Sequence, residues 1–394
     1  MSISFSVKLY FLRCFLAVFF LSAALGCENN NKASNVNKNE QKESENPDSL
    51  LNLKIGQMLM IGFRGLTLNQ NKHIARDVQK YYLGGVVLYS VDLPSKRKQT
   101  RNIKNSAQLQ QLNQDLQELS TDNLLIGIDQ EGGLVSRLSP KYGFPPKIPS
   151  AQVLGKLDNL DSTYYYSLKT AELLKSHHIN FNFAPVVDVN VNPDCPVIGG
   201  IERSFSANVD KVTAHAAEVI KAHASQKVIC SLKHFPGHGS AKTDSHKGFT
   251  DVTDTWTENE LLPYKNLIEQ KNIQAIMTAH VFNAKLDKNF PATLSKSITY
   301  DILRQDLKYD GFIISDDLHM GAIADNFELE LAIEKALNAG VDMLMFSNNS
   351  PKAYDSEIVP KAINIIKKLL KEGKITEEQI DAAYNRIVAL KSSL

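Results

Sequence analysis

Residues 228–239 read VICSLKHFPGHG, an apolar, β-branched run that ends in Lys233 and His234 and enters a loop rich in Pro and Gly. A continuous apolar strand is buried on both faces, as in a parallel sheet covered by helices. A charge at the end of such a strand costs free energy unless it is paired or used. The same pattern recurs along the chain. Candidate strands are Met58–Phe63, Gly85–Tyr89, Leu124–Asp129, Ile179–Val187, Val228–His234, Ala275–Ala279, Phe312–Asp316 and Asp342–Phe346. Helix-period segments lie between them, at Ala107–Leu119, Thr163–Ser176, Val209–Ser225, Glu258–Gln270 and Leu329–Ala339. Eight such units predict an α/β fold, a single-domain (β/α)8 TIM-type barrel. Asp355–Leu394 reads as terminal helices turning at Lys371-Glu372-Gly373-Lys374.

A barrel places its chemistry at the carboxyl ends of the strands. The polar residues there are Asp129, Asp188, Lys233, His234, His280, Asp316 and Asp317. One or two would serve as structural ion pairs. Seven converging on one face point to a polar substrate pocket.

Asp244-Ser245-His246 continues the loop after Gly239. In an extended segment, residues two apart share a side, so Asp244 is expected to fix the His246 tautomer and stabilise its protonated form. Such a histidine exchanges protons near neutral pH; the plain alternative is a surface Asp–His pair. His234, His238, Asp244 and His246 are also plausible zinc ligands, but the positive charge of Lys233 beside them disfavours a cation, and no metal or cofactor is expected. Ser315-Asp316-Asp317 ends the seventh strand. A carboxylate there can act as nucleophile toward an anomeric carbon. Adjacent strand residues point to opposite sides, so one Asp faces the mouth and the other anchors a loop or caps a helix. Asp129, in Gly127-Ile-Asp-Gln-Glu-Gly-Gly133, with Arg137 and Arg203, supplies directional charge-assisted hydrogen bonds suited to sugar hydroxyls and acetamido carbonyls. Dinucleotide-binding, P-loop, zinc-protease and serine-hydrolase signatures are absent. Cys195 and Cys230 are expected to remain unbonded to each other.

The chain has 394 residues, with 44 basic and 43 acidic side chains. This balance gives no support for a nucleic-acid partner, which calls for a basic excess. A mean hydropathy of −0.22 excludes a polytopic membrane protein. The amino terminus differs from the rest. Lys8 and Arg13 form a basic segment before the apolar run Cys14–Leu25, which is too short to span a bilayer comfortably and fits a signal peptide. Ala24-Leu25-Gly26-Cys27 resembles a bacterial lipobox, with a departure from its preferred order. The expectation is a lipoprotein signal peptide at 1–26, lipidation of Cys27, a polar flexible tether at 27–50 and a barrel at 51–394.

Together the motifs resemble glycoside hydrolase family 3, in its single-domain β-N-acetylhexosaminidase branch. The resemblance runs from Lys54-Ile-Gly-Gln-Met58 through Asp129-Gln-Glu-Gly-Gly, Arg203-Ser-Phe, Lys233-His-Phe-Pro-Gly-His-Gly and Asp244-Ser-His to Ser315-Asp-Asp317. It implies a retaining mechanism with Asp316 as nucleophile and His246, paired with Asp244, as acid and base. Asp129, Arg137, Arg203, Lys233, His234 and His280 would hold the substrate, a terminal β-linked N-acetylglucosamine as in peptidoglycan fragments. The implied catalytic domain is monomeric. The signal peptide and lipid anchor place it at the cell envelope, with the outer membrane facing the periplasm as the expectation. Two departures stand out: Gly200-Ile201-Glu202 lengthens the approach to Arg203, and Ser240-Ala241-Lys242 replaces an Asp/Thr-rich lead into the dyad. The competing readings are an N-acetylglucosaminide phosphorylase, a non-catalytic sugar-binding lipoprotein and a metal-dependent hydrolase.

Overall fold

The computed structural model describes residues 47–350 and 354–394. The expected signal peptide, Cys27 and the tether up to residue 46 lie outside the described residues. The first element is a helix, Pro47–Gln57, which contains Leu51, where the sequence predicts the fold to begin. Ile55 is fully buried, and Lys54 pairs with Asp381 of the last helix at 2.5 Å. Among the described residues, no helix is long and apolar enough to cross a membrane.

Among the described residues twelve strands follow: β1 (Leu59–Gly62), β2 (Gly85–Val87), β3 (Leu125–Ile128), β4 (Gln130–Gly132), β5 (Val135–Ser136), β6 (Phe181–Asn182), β7 (Ile229–Phe235), β8 (Thr250–Asp251), β9 (Ala275–Thr278), β10 (Val281–Phe282), β11 (Phe312–Ile314) and β12 (Leu344–Phe346). Eight form one parallel sheet in the order β11-β9-β7-β6-β3-β2-β1-β12. A parallel bridge between Ile314 and Met343 brings its two edges together, so the sheet closes as a (β/α)8 barrel. The remaining strands are outgrowths at the carboxyl ends: the antiparallel β4–β5 hairpin and the parallel β8–β10 pair.

Each barrel strand lies within its predicted segment or within one residue of it. The largest difference is β6, two residues long where nine are expected. Pro185 has no amide to donate, so the ladder breaks there and resumes at the bridge between Val186 and Lys233. The expected helix at Glu258–Gln270 divides into a 3-10 turn, Glu258–Leu261, and a helix, Leu262–Glu269, with Pro263 in the helix's first turn. Helices at Lys72–Lys80, Ala151–Leu157 and Lys296–Asp306 are not anticipated from the sequence. Asn105, Asn159, Asn208 and Thr376 each cap a helix by accepting a backbone N–H, which fixes where those helices start.

The barrel interior is packed with side chains rather than open. Phe181 lies edge-on to Phe183 and Phe312, with ring centroids 5.1 and 6.2 Å apart. Gly127 makes room for them, because a Cβ there would stand 2.6 Å from the Phe183 ring. This packed floor closes the barrel below the carboxyl ends of the strands.

Candidate active site

The site is built from the ends of β3, β6, β7, β9 and β11 and the loops that follow them. The β4–β5 hairpin turns on Gly132 and Gly133, at φ +108° and +51°, and a Cβ on Gly132 would meet the Pro149 carbonyl at 2.6 Å. This tight hairpin sets Glu131 and Arg137 on either side of Asp129. Asp129 accepts from Arg137 at 2.9 Å and from Lys233 at 2.8 Å. Lys233 also reaches Glu131 at 2.6 Å, and Glu131 takes a two-pronged bond from Arg203 at 2.7 and 2.8 Å. Three cations and two carboxylates thus form one continuous network, with Lys233 only 2 % exposed. Burial would raise the pKa of Asp129, but Lys233 and Arg137 outweigh it and hold the carboxyl well below its ordinary range. Glu131 is likewise held down against burial, by Arg203 and Lys233.

The lengthened segment before Arg203 winds into a short 3-10 turn, Gly199–Ile201, and leaves it through Glu202 at φ +59°. The guanidinium is delivered into the pocket, anchored on the Val197 carbonyl at 2.8 Å. Glu202 turns away and accepts from the Ser150 hydroxyl at 2.7 Å.

Asp188 holds the start of the β7 loop. It accepts from His234 Nδ1 at 2.7 Å and from the amides of His234 and His238 at 3.2 and 2.8 Å. The other ring nitrogen of His234 faces Arg203 at 3.3 Å. Lower in the loop, the buried Glu260 accepts from the amides of Gly239 and Ser240 at 3.0 and 3.3 Å. Glu131 and Asp188 stand within or beside segments that the sequence singles out. Glu260 sits on a remote 3-10 turn with no local signal, and only the fold brings it under the loop.

Asp244 and His246 pair as expected, at 2.8 Å between His246 Nδ1 and the carboxylate. The backbone is a turn, closed by Lys247 N to Asp244 O at 3.0 Å, and not an extended segment. The turn lets the same carboxylate oxygen accept the His246 amide at 2.9 Å. Crowding by protein pulls the His246 pKa down, but the Asp244 bond and the charges of Asp316 and Asp244 prevail and raise it. Asp244 falls to about 2, chiefly through its bond to His246. The His246 side chain is 63 % exposed, so it faces both pocket and solvent.

Asp316 and Asp317 diverge. Asp317 accepts from the Ser347 amide and hydroxyl and from the His319 amide, tying β11 to the end of β12. Among the described residues, Asp316 takes only the Asp317 amide, at 2.8 Å, and has no ion pair. Burial would raise its pKa, but His280, His234 and His246 outweigh it and lower it. His280 is buried, with Nδ1 on the Thr293 hydroxyl at 2.8 Å and Nε2 on the Asp317 carbonyl at 2.9 Å. Both its nitrogens are therefore held by protein partners beside Asp316. Among the described residues, no group of three or more His, Cys, Asp or Glu is arranged to hold a metal ion. Cys195 and Cys230 are buried free thiols.

A closed parallel barrel with a carboxylate free of ion pairs among the described residues, a carboxylate-bound histidine and a cation-rich wall at its mouth has the groups that glycoside hydrolysis requires. The profile of the glycosyl hydrolase family 3 N terminal domain matches residues 50–390, and the chain belongs to this family. Beta-hexosaminidase A of Pseudoalteromonas piscicida is 31 % identical over 375 residues, which is 86 % of this chain and 60 % of that protein. The beta-hexosaminidase of Tolumonas auensis is 34 % identical over 298 residues, 74 % of this chain and 83 % of that protein. A family 3 beta-N-acetylglucosaminidase structure from Paenibacillus sp. str. FPU-7 superposes with a TM-score of 0.78 at 31 % identity, covering 87 % of this chain and 62 % of that one. The chain thus spans about three fifths of the first and last of these proteins.

Proposed function

We propose that the protein is a retaining exo-β-N-acetylhexosaminidase that hydrolyses terminal β-linked N-acetylglucosamine. The observation that carries this reading is the condition of Asp316. The neighbouring carboxylates Asp129, Glu131 and Asp188 are each tied to cations or a histidine, whereas Asp316 is ionised, unpaired and flanked by histidines. An oxygen of Asp316 attacks the anomeric carbon as the glycosidic bond breaks, and the leaving oxygen takes the proton from His246. The neutral His246 then accepts a proton from water, whose oxygen displaces Asp316 and regenerates the carboxylate. Asp244 orients the ring and stabilises its cationic form throughout. Asp129, Arg137, Lys233, Arg203 and His234 form the wall that receives the sugar's hydroxyl and acetamido groups. The names of the hexosaminidase relatives support the choice of sugar.

The test is to trap the intermediate with a slow 5-fluoro N-acetylglucosaminyl donor and digest the adduct for mass spectrometry. The label is expected on Asp316; a label elsewhere, or none during turnover, overturns the mechanism. Added phosphate is expected to leave the released sugar unphosphorylated, and a chelator to leave the rate unchanged.

The same proposal places the enzyme at the cell envelope, lipid-anchored through Cys27 and acting on peptidoglycan fragments, with the outer membrane facing the periplasm as its site. The signal-like run Cys14–Leu25 and the polar segment after Cys27 support it. Cys27→Ala is expected to move the protein from the membrane to the soluble fraction of cells. Retention in the membrane fraction overturns the anchor.

A further inference from the structure

We infer that Phe249 and Phe282 form a stacking platform for the sugar ring on the leaving-group side of the site. The inference rests on the hexosaminidase reading and extends it to the aglycone, here assigned as a second hexopyranose. Phe249 is the one phenylalanine among the exposed large hydrophobic side chains of the described residues, at 47 %. Its ring lies against that of Phe282, with centroids 4.9 Å apart and planes tilted by 43°. The pair is held by backbone rather than by loose loops. β8 and β10 run parallel, with Thr250 opposite Val281 and Asp251 opposite Phe282, and Val252 N donates to the Phe282 carbonyl at 2.8 Å.

Its position follows from its neighbours. Phe249 comes three residues after His246, and Phe282 two residues after His280. Both histidines bear electrostatically on Asp316. The turn carrying His246 is pinned over the chain beyond Asp316, since Ala322 N donates to Ser245 O at 3.2 Å. A Cβ on Gly321 would stand 3.1 Å from the His246 carbonyl. An acid that protonates the glycosidic oxygen has the sugar on one side and the leaving group on the other. The network of Asp129, Lys233 and Arg203 takes the first side. The second is the side of the solvent-exposed His246, and the exposed Phe249 follows it three residues along the same loop. A pyranose presents a face of C–H bonds, and an aromatic face is a good partner for it because it excludes water without demanding hydrogen bonds. A leaving group as small as methoxide does not reach this surface.

The experiment compares two alkyl leaving groups on the full-length protein, N,N′-diacetylchitobiose and methyl β-N-acetylglucosaminide. Neither carries an aromatic ring, and both depend on protonation by His246. For Phe249→Ala, the ratio of kcat/KM for the disaccharide to that for the methyl glycoside is expected to fall about fivefold, which is about 1 kcal/mol. Phe249→Tyr is expected to restore the wild-type ratio. A ratio unchanged in Phe249→Ala, or a loss equal on both substrates, overturns the platform and leaves the aromatic pair as loop packing. Failure of the wild type to cleave either substrate instead overturns the hexosaminidase reading, so the two failures are told apart.

Discussion

Asp316 receives its one hydrogen bond, among the described residues, from the backbone amide of Asp317, 2.8 Å away. Two adjacent carboxylates at one strand end therefore live in opposite conditions. Asp317 is spent on structure, holding Ser347 and His319. Asp316 is kept free of cations, at a cost, because a half-buried charge with a single donor is poorly solvated. Substitution should separate the two roles. Asp316→Asn is expected to lower kcat about a thousandfold while changing unfolding free energy by less than about 1 kcal/mol. Asp317→Ala is expected to lose about 3 kcal/mol, for three hydrogen bonds removed from a buried site. Thermal melts and single-substrate kinetics on both variants check the contrast, and equal effects in the two would remove it.

The Asp244–His246 bond predicts the pH profile. His246 must be protonated for the first step, and its pKa is raised above the ordinary histidine value. Activity is lost as pH rises through that raised pKa, so the basic limb of kcat/KM lies above about 6.5. Asp316 must be ionised, and its pKa is lowered, so the acid limb lies below the ordinary carboxylate value. Asp244→Asn removes the charge that holds the proton on His246. The basic limb is then expected to move down in pH. A limb that stays in place in this variant would assign it to another group.

His246 also predicts a dependence on leaving group. An aryl leaving group departs as a stabilised anion and needs little protonation, whereas a sugar hydroxyl needs a proton as it leaves. His246→Ala is expected to slow an aryl N-acetylglucosaminide about tenfold and an alkyl one about a thousandfold. Equal losses would make His246 a binding or structural residue.

The sequence pattern carries the barrel because its strands are short, apolar and ended by charge, and the sheet forms within one or two residues of most of them. It does not carry β6, where Pro185 removes an amide that only a ladder count reveals. The residues of the wall are likewise legible, since Asp129, Lys233 and Arg203 end strands or follow Gly-rich turns. Their pairing is not, because a strand end records position and not which cation meets which anion. Asp244 and His246 are legible as a pair, although the bond forms through a turn where an extended segment is expected. Glu260 is invisible, since its partners Gly239 and Ser240 are backbone amides about twenty residues away.

Lys233 is the keystone of the cation–anion wall, bonded to Asp129 at 2.8 Å and to Glu131 at 2.6 Å. Lys233→Ala leaves these two carboxylates with Arg137 and Arg203 alone. Breaking a buried pair by removing one partner costs about 3 kcal/mol or more, since a buried charge is left uncompensated. The melting temperature is expected to fall by about 5 °C or more at pH 7. In the wild type the lowered pKa values of Asp129 and Glu131 give stability that persists above the ordinary carboxylate range and is lost only as pH falls through it. In the variant the freed carboxylates protonate at higher pH than in the wild type, so the gap in melting temperature narrows as pH falls through the ordinary carboxylate range and below it. A gap independent of pH would mean that the loss comes from packing.

Glu260 gives a prediction of opposite sign. Burial, reinforced by Asp188, pushes its carboxyl up to about 7. One oxygen serves the amides of Gly239 and Ser240, while the other, among the described residues, is buried without a geometric hydrogen bond. Between the ordinary glutamate value of 4.5 and about 7, the folded protein keeps a proton that the unfolded chain releases. Folding is therefore penalised progressively as pH rises through that window, by about 3 kcal/mol at most. Glutamine keeps an oxygen for the two amides and cannot ionise, so Glu260→Gln escapes the penalty. Its melting temperature relative to wild type is expected to rise from pH 5 to about pH 7 and to level off above that. Glu260→Ala, which leaves both amides without an acceptor, is expected to be less stable than Glu260→Gln at every pH. Melts of the three proteins across this range decide the matter, and parallel curves for wild type and Glu260→Gln would show that Glu260 is ionised throughout.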